Sequence, residues 1–176
     1  MATTKWSIDP THSEIHFKVK HLMITTVTGS FGKFSGTAET EDEDFTTAKI
    51  NFSADVNSIS TGVADRDGHL KSADFFDAAN YPELAFTGTK FAGKDSDFEL
   101  EGDLTIRGTT KKVKVNVEFG GITKDPWGST RAGFTISGKI NRKDFGLSWG
   151  AVTEAGGVVV SDEVKIAAEV QFVKQA

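Results

Sequence analysis

The chain alternates. In SEIHFKVKHL the set Ile15, Phe17, Val19, His21 is interleaved with Glu14, His16, Lys18 and Lys20. AKINFSADV repeats the pattern with Ala48, Ile50, Phe52, Ala54 and Val56, and DFELEGDLTI with Phe98, Leu100, Gly102, Leu104 and Ile106. KKVKVNVEF gives Val113, Val115, Val117 and Phe119, AGFTISGKI gives Ala132, Phe134, Ile136, Gly138 and Ile140, and EVKIAAEVQF gives Val164, Ile166, Ala168, Val170 and Phe172. A period of two predicts strands with one apolar and one wet face. Turn chemistry separates the runs: EDED at 41–44, KDPWGS around Pro126 and Gly128, and EAGGV with Gly156 and Gly157. Seven or eight such strands predict an antiparallel meander, closed as a sandwich or a barrel. Glycines at 29, 32, 36, 102 and 138 fall in or beside strands, where they mark bends or close backbone approach.

One interval breaks the period. From Gly62 to Asn80 alanine, leucine, lysine and aspartate dominate, and Tyr81-Pro82 ends the stretch. It reads as short helical segments broken near Gly68 or Ser72, with Ser72 capping a turn that holds Asp74. No repeat, linker or low-complexity tract divides residues 1–176, so a single domain is expected.

Composition narrows the function. No apolar run nears the roughly 20 residues of a membrane-spanning helix, so no integral membrane segment is expected. The N-terminus carries no signal-peptide pattern. A cytoplasmic protein is expected, or a periplasmic one if a signal has been removed. The absence of cysteine removes disulfides and thiol chemistry. A net charge of −5 argues against a nucleic-acid partner. Fourteen phenylalanines against one tyrosine suit an interior that asks for no hydrogen bonds.

The histidines do not suggest a metal site. His16 and His21 differ by an odd number and face opposite sides of a regular strand. His12 and His16 on one strand would stand about 13 Å apart. His21 shares its face with Phe17 and Val19. It reads as a core histidine bonded to backbone, ahead of a ligand contact. Arg66, Asp67 and His69 have no nucleophile motif and no paired carboxylate beside them. A clamp in which Arg66 and Asp67 pair to fasten the helical segment is favoured over head-group contact, and both over general acid–base catalysis. Arg107 to Lys114 reads as a solvated hairpin turn followed by wet-face lysines. The aromatics Phe31, Phe34, Phe75, Phe76 and Trp149 either fill a closed barrel or line a cavity. Small inward residues (Ala54, Gly102, Gly138, Ala168) favour the cavity.

WSIDPTHSEIHFKVKH (6–21), TGSFGKFSG (28–36), SIST (58–61), RDGHLKSADFFD (66–77), YPELAF (81–86), GDLTIRGTTKKV (102–113) and NRKDFGL (141–147) together resemble the YceI-like polyisoprenoid-binding family. The match is colinear and spans nearly the whole chain. Lys112 stands where that family often has proline. The resemblance implies a single antiparallel eight-stranded lipocalin-like β-barrel, all-β apart from a short helical insertion at about 62–80. It also implies an apolar tunnel for an isoprenoid chain (a polyprenyl or quinone tail) or another long lipid. No catalytic residue and no cofactor carries over, and a homodimer stays open. Combined with the alternation, it implies a ligand lining of Phe17, Val19, His21, Phe31, Phe34, Phe52, Ala54 and Arg66, continuing through His69, Phe75, Phe76, Phe86, Leu104, Phe134, Ile136 and Trp149. A lipid carrier is the leading expectation. A cavity enzyme of cyclase or isomerase type and a filled barrel serving stress or interaction are the alternatives.

Overall fold

A computed structural model describes residues 2–22, 24–147 and 160–175; Trp149 and the EAGGV turn lie outside the described residues. The described chain forms eleven strands: β1 (Thr3–Ile8), β2 (Glu14–His21), β3 (Thr25–Phe31), β4 (Phe34–Glu41), β5 (Asp44–Asp55), β6 (Ile59–Ser60), β7 (Glu83–Lys94), β8 (Asp97–Ile106), β9 (Thr109–Lys124), β10 (Thr130–Asn141) and β11 (Glu163–Lys174). One helix, α1 (Ala64–Lys71), lies between β6 and β7.

The pairing order β1-β4-β5-β7-β8-β9-β10-β11 returns to β1, which closes an eight-stranded antiparallel barrel. The other three strands extend the ring at one end. β11 pairs through Phe172–Lys174 with β1 and through Lys165–Glu169 with β2. β2 continues β1, β3 leads into β4, and β6 follows β5, so the same wall runs past the closed ring. The β2–β3 and β8–β9 hairpins, the C-terminal end of β10, the N-terminal end of β11 and α1 lie at that extended end. The β4–β5, β7–β8 and β9–β10 hairpins lie at the other.

Bulges explain where simple alternation fails. In β9 the inward set is odd through Phe119 and then even at Ile122. The change falls at Gly120–Gly121, where Gly133 pairs with Gly121 but Phe134 with Phe119. Gly121 takes φ +101°, a conformation suited to glycine. In β7 the inward set passes from Leu84, Phe86 and Gly88 to Phe91 across an extra residue, Thr89. In β5 the shift opposite Glu39–Glu41 moves the inward set from Phe45 to Ala48, while Thr40 of β4 keeps the inward parity of Gly36 and Ala38 and presents a buried hydroxyl. It accepts the indole N–H of fully buried Trp6 at 3.0 Å and donates to the Asp42 carbonyl at 2.7 Å. Each extra residue reverses the facing of those beyond it and bends the strand, and a closed barrel needs that curvature.

The helical interval breaks at Ser72, one of the two places expected, and not at Gly68. α1 runs unbroken through Gly68, and Ser72 is its C-cap. The Ser72 hydroxyl donates to the His69 carbonyl at 2.5 Å and accepts the Asp74 N–H at 3.3 Å, so it does hold the following turn. Among the described residues no helix is long and apolar enough to cross a membrane.

Candidate functional site

The inward faces do not fill the barrel. They enclose an elongated cavity of about 420 Å³ whose lining is almost wholly apolar. Its far end is shut by aromatic rings. Phe134 lies 5.0 Å from Phe45, 5.1 Å from Phe119, 6.1 Å from Phe91 and 6.0 Å from Phe172, centroid to centroid. Trp6 backs Phe45 at 4.9 Å, and Phe98 stacks on Phe91 at 4.6 Å. These rings interlock edge to face and offset, the arrangements their quadrupoles favour. The reading of a filled barrel is therefore corrected: one end is plugged and the rest is open.

Glycines keep the lumen clear by giving rings a place to lie. A Cβ on Gly29 would come 2.2 Å from the tip of the Phe17 ring, and one on Gly102 2.5 Å from that of Phe86. At Gly138 it would come 2.7 Å from a Val115 methyl. These glycines do not add empty space, as their small size suggests. Their sites are occupied by side chains that lie against the wall, leaving the axis free.

The extended end is the mouth. Val19, His21 and Val27 border it from β2 and β3, Thr61 from just past β6, and Arg66, His69 and Leu70 from α1. Phe75 is buried and Phe76 half-buried, and both border the cavity. Phe76 meets Phe31 edge-on at 6.1 Å, and Phe31 meets Phe17 at 5.7 Å. Arg66 and Asp67 do not pair with each other; both grip Thr61. Asp67 accepts the Thr61 N–H and hydroxyl at 2.8 and 2.6 Å, while Arg66 donates to the Thr61 hydroxyl and carbonyl, each at 2.7 Å. A single residue with hydroxyl, N–H and carbonyl within reach satisfies both charges better than a flexible surface pair. His69 Nε2 is hydrogen-bonded to Asp74 Oδ2 at 2.9 Å. His21 is exposed at the mouth, not a core histidine.

Arg142 had no role assigned from sequence, although NRKDFGL contains it. It is 4% exposed, borders the cavity, and donates to the carbonyls of Leu147, Ser161 and Val160 at 2.6, 3.0 and 3.3 Å. Its guanidinium stands 5.9 Å from the centre of the Phe75 ring. Burial pulls its pKa down, and Asp162 at 3.7 Å opposes that. The residue ties the end of β10 to Leu147 and to the residues just before β11.

Of the lining expected from sequence, Phe17, Val19, His21, Phe31, Phe52, Arg66 and His69 border the cavity. So do Phe75, Phe76, Phe86, Leu104, Phe134 and Ile136. Phe34 and Ala54 do not. They face each other across β4 and β5, where Ala54 is buried and Phe34 packs on Phe52 at 6.1 Å, behind the lining. Phe45 and Phe91 were missed because hairpin and bulge break the two-residue period before them. Among the described residues no cluster of three or more acidic or histidine side chains could hold a metal.

Residues 6–172 match the model of the YceI-like domain. A UPF0312 protein of Staphylococcus aureus is 38% identical over 170 residues, covering 96% of this chain and 97% of its own. A UPF0312 protein of Staphylococcus epidermidis is 36% identical over the same span. The solved YCEI protein of Campylobacter jejuni is 30% identical with a TM-score of 0.77, covering 89% of this chain and 90% of that one. A polyisoprenoid binding domain from Saccharophagus degradans, at 18% identity and a TM-score of 0.70, shares the fold over 95% of this chain and 97% of its own.

Proposed function

The chain belongs to the YceI-like family, and from that premise we propose that its barrel binds and carries or sequesters a long apolar chain, an isoprenoid first among candidates. The observation that carries this is the cavity itself: apolar along its length, ring-plugged at one end and open beside α1 at the other. A fold neighbour described as a polyisoprenoid binding domain supports the same ligand class. Each buried methylene contributes about 0.8 kcal/mol, so a five-carbon isoprene unit contributes roughly 4 kcal/mol before ordering costs. A few units inside the barrel bind without a polar anchor. The plug sets how much of the chain enters, and the residues around α1 meet whatever stays outside.

The test is extraction. Purified protein is examined by native mass spectrometry and its solvent extract analysed for lipids, with added polyprenol as the binding probe. A lipid adduct, or saturable polyprenol uptake that Phe17→Asp removes, is expected. Protein that emerges empty and takes up no polyprenol overturns the reading.

A cyclase or isomerase reading rests on the His69–Asp74 pair, an imidazole and a carboxylate at the edge of an apolar cavity. It requires turnover of an isoprenoid that His69→Ala abolishes. Binding without turnover leaves the carrier.

A further inference from the structure

Two features at the mouth end work against folding. The first is a row of like charges. On the outer wall Lys18 of β2 stands directly opposite Lys165 of β11, and Lys165 directly opposite Lys139 of β10. All three are exposed, and none forms an ion pair with a described carboxylate. Like charges opposite one another on adjacent strands destabilise a sheet. Exposed Lys20 follows on the same face of β2. None of the nearby described carboxylates forms an ion pair with the row, although exposed Glu163 shares its face two residues from Lys165. Asp162 is engaged by Lys143 at 3.4 Å, and Glu163 lies opposite Asn141. The acidic residues Glu14 and Glu169 face each other four residues back along these strands, away from the mouth.

The second feature is the tip of the β2–β3 hairpin. Immediately after His21, which borders the cavity, Leu22 is 39% and Ile24 77% exposed. Leu22 adopts φ +53°, a strained setting for a branched aliphatic residue, at the turn closed by the Ile24 N–H on the His21 carbonyl at 3.1 Å. Aliphatic side chains held in water beside an unneutralised lysine row suit a surface that is anionic outside and apolar beneath.

We infer that the mouth end docks on an anionic lipid bilayer, the Lys18–Lys165–Lys139 row meeting head groups while Leu22 and Ile24 enter the acyl boundary. Basic residues near such a surface are attracted individually, and a short apolar insertion adds to them. The whole chain carries a net charge of −5, so the lysine row is a local basic strip on an acidic molecule and is the part of the mouth end that turns towards an anionic surface. A chain could then pass between bilayer and cavity without crossing water.

The test is flotation with vesicles of phosphatidylcholine alone and of equal parts phosphatidylcholine and phosphatidylglycerol. The protein should float with the anionic vesicles only, and high salt should release it. Lys18→Gln/Lys139→Gln/Lys165→Gln should weaken binding by at least roughly tenfold while melting no lower than the parent, since it removes repulsion. Ile24→Ser should weaken binding with an unchanged melt. Equal binding to both vesicle types, no binding, or a triple variant that binds like the parent overturns the inference. So does an Ile24→Ser protein that binds vesicles normally but turns from dimer to monomer in light scattering, for the tip would then be a self-association surface. Flotation is read without ligand transfer, so it stands or fails apart from what fills the cavity.

Discussion

The ring of Phe17 lies flat over Gly29, its direct partner across β2 and β3, so closely that a Cβ there would come 2.2 Å from the ring tip. The neighbour that must give way is a ring with free volume on its other side. Gly29→Ala therefore tips Phe17 into the lumen instead of disrupting the sheet. The expected outcome is a protein that melts within a few degrees of the parent but takes up polyprenol several-fold more weakly. Gly102→Ala is the contrast, because its Cβ would also meet the Thr87 carbonyl at 2.4 Å. Backbone cannot swing aside, and a loss of about 1–3 kcal/mol is expected by urea denaturation. Equal stability losses in the two variants would contradict this account.

Phe134 is the keystone of the ring plug, in contact with Phe45, Phe91, Phe119 and Phe172 and only 7% exposed. Phe134→Ala should cost about 3–5 kcal/mol. The void it leaves joins the cavity at its closed end. Longer polyprenols should therefore gain affinity relative to short ones, measured by competition between two chain lengths. An unchanged length preference would show that the plug does not set the depth.

Stability should fall in acid for an identifiable reason. Arg131 donates to Asp125 at 2.8 Å and to Asp9 at 2.7 Å, tying the β9–β10 turn to the corner after β1. The Thr11 hydroxyl, then Arg131 and His12, hold the Asp9 carboxyl well below the usual carboxylate range. Arg131, then the Ser129 N–H, depress Asp125. A carboxyl whose folded pKa is depressed adds stability that is complete above its unfolded value, about 3.9, and is lost as pH falls through the folded one. Asp9→Asn should therefore be less stable than the parent at neutral pH, with the gap narrowing steadily below about pH 4. Urea midpoints of both proteins across that range check it; a gap independent of pH would refute it.

Alternation in the sequence is enough to place most of the cavity wall, because inward facing along a regular strand follows from parity alone. It carries Phe17, Phe52, Phe86, Leu104 and Ile136 to the lining, and its interruption at 62–80 marks the helical interval, which the structure then places at the mouth. It fails where parity is reset. Phe91 lies beyond the extra residue Thr89, and Phe45 directly follows an acidic turn. It also fails where inward is not the same as lining. Ala54 and Phe34 face inward but pack against neighbouring side chains before the lumen is reached. Arg142 was hidden for a different reason. A charged residue after the end of a strand reads as solvated, and only the fold brings the carbonyls of Leu147 and Ser161 around it.

The cap itself should prove separable from the barrel. α1 buries none of its residues completely, and its N-cap, Val63, offers no side-chain hydrogen bond to the first turn. Its N-terminal end is held instead by Thr61, whose hydroxyl donates to Asp67 and accepts from Arg66. Leu70, Phe75 and Phe76 hold the other side against the barrel. Thr61→Val keeps the shape and removes both hydroxyl bonds, a cost of about 1–2 kcal/mol that should fall on the cap alone. Amide exchange at Asp67, whose N–H bonds to the Val63 carbonyl at 3.0 Å, should quicken on the order of tenfold, while β7 to β10 exchange as before. Polyprenol release should quicken with it, because α1 borders the opening, and Thr61→Ser should restore both rates. Faster exchange with unaltered release would mean that the chain leaves past the tip of the β2–β3 hairpin and not past the helix.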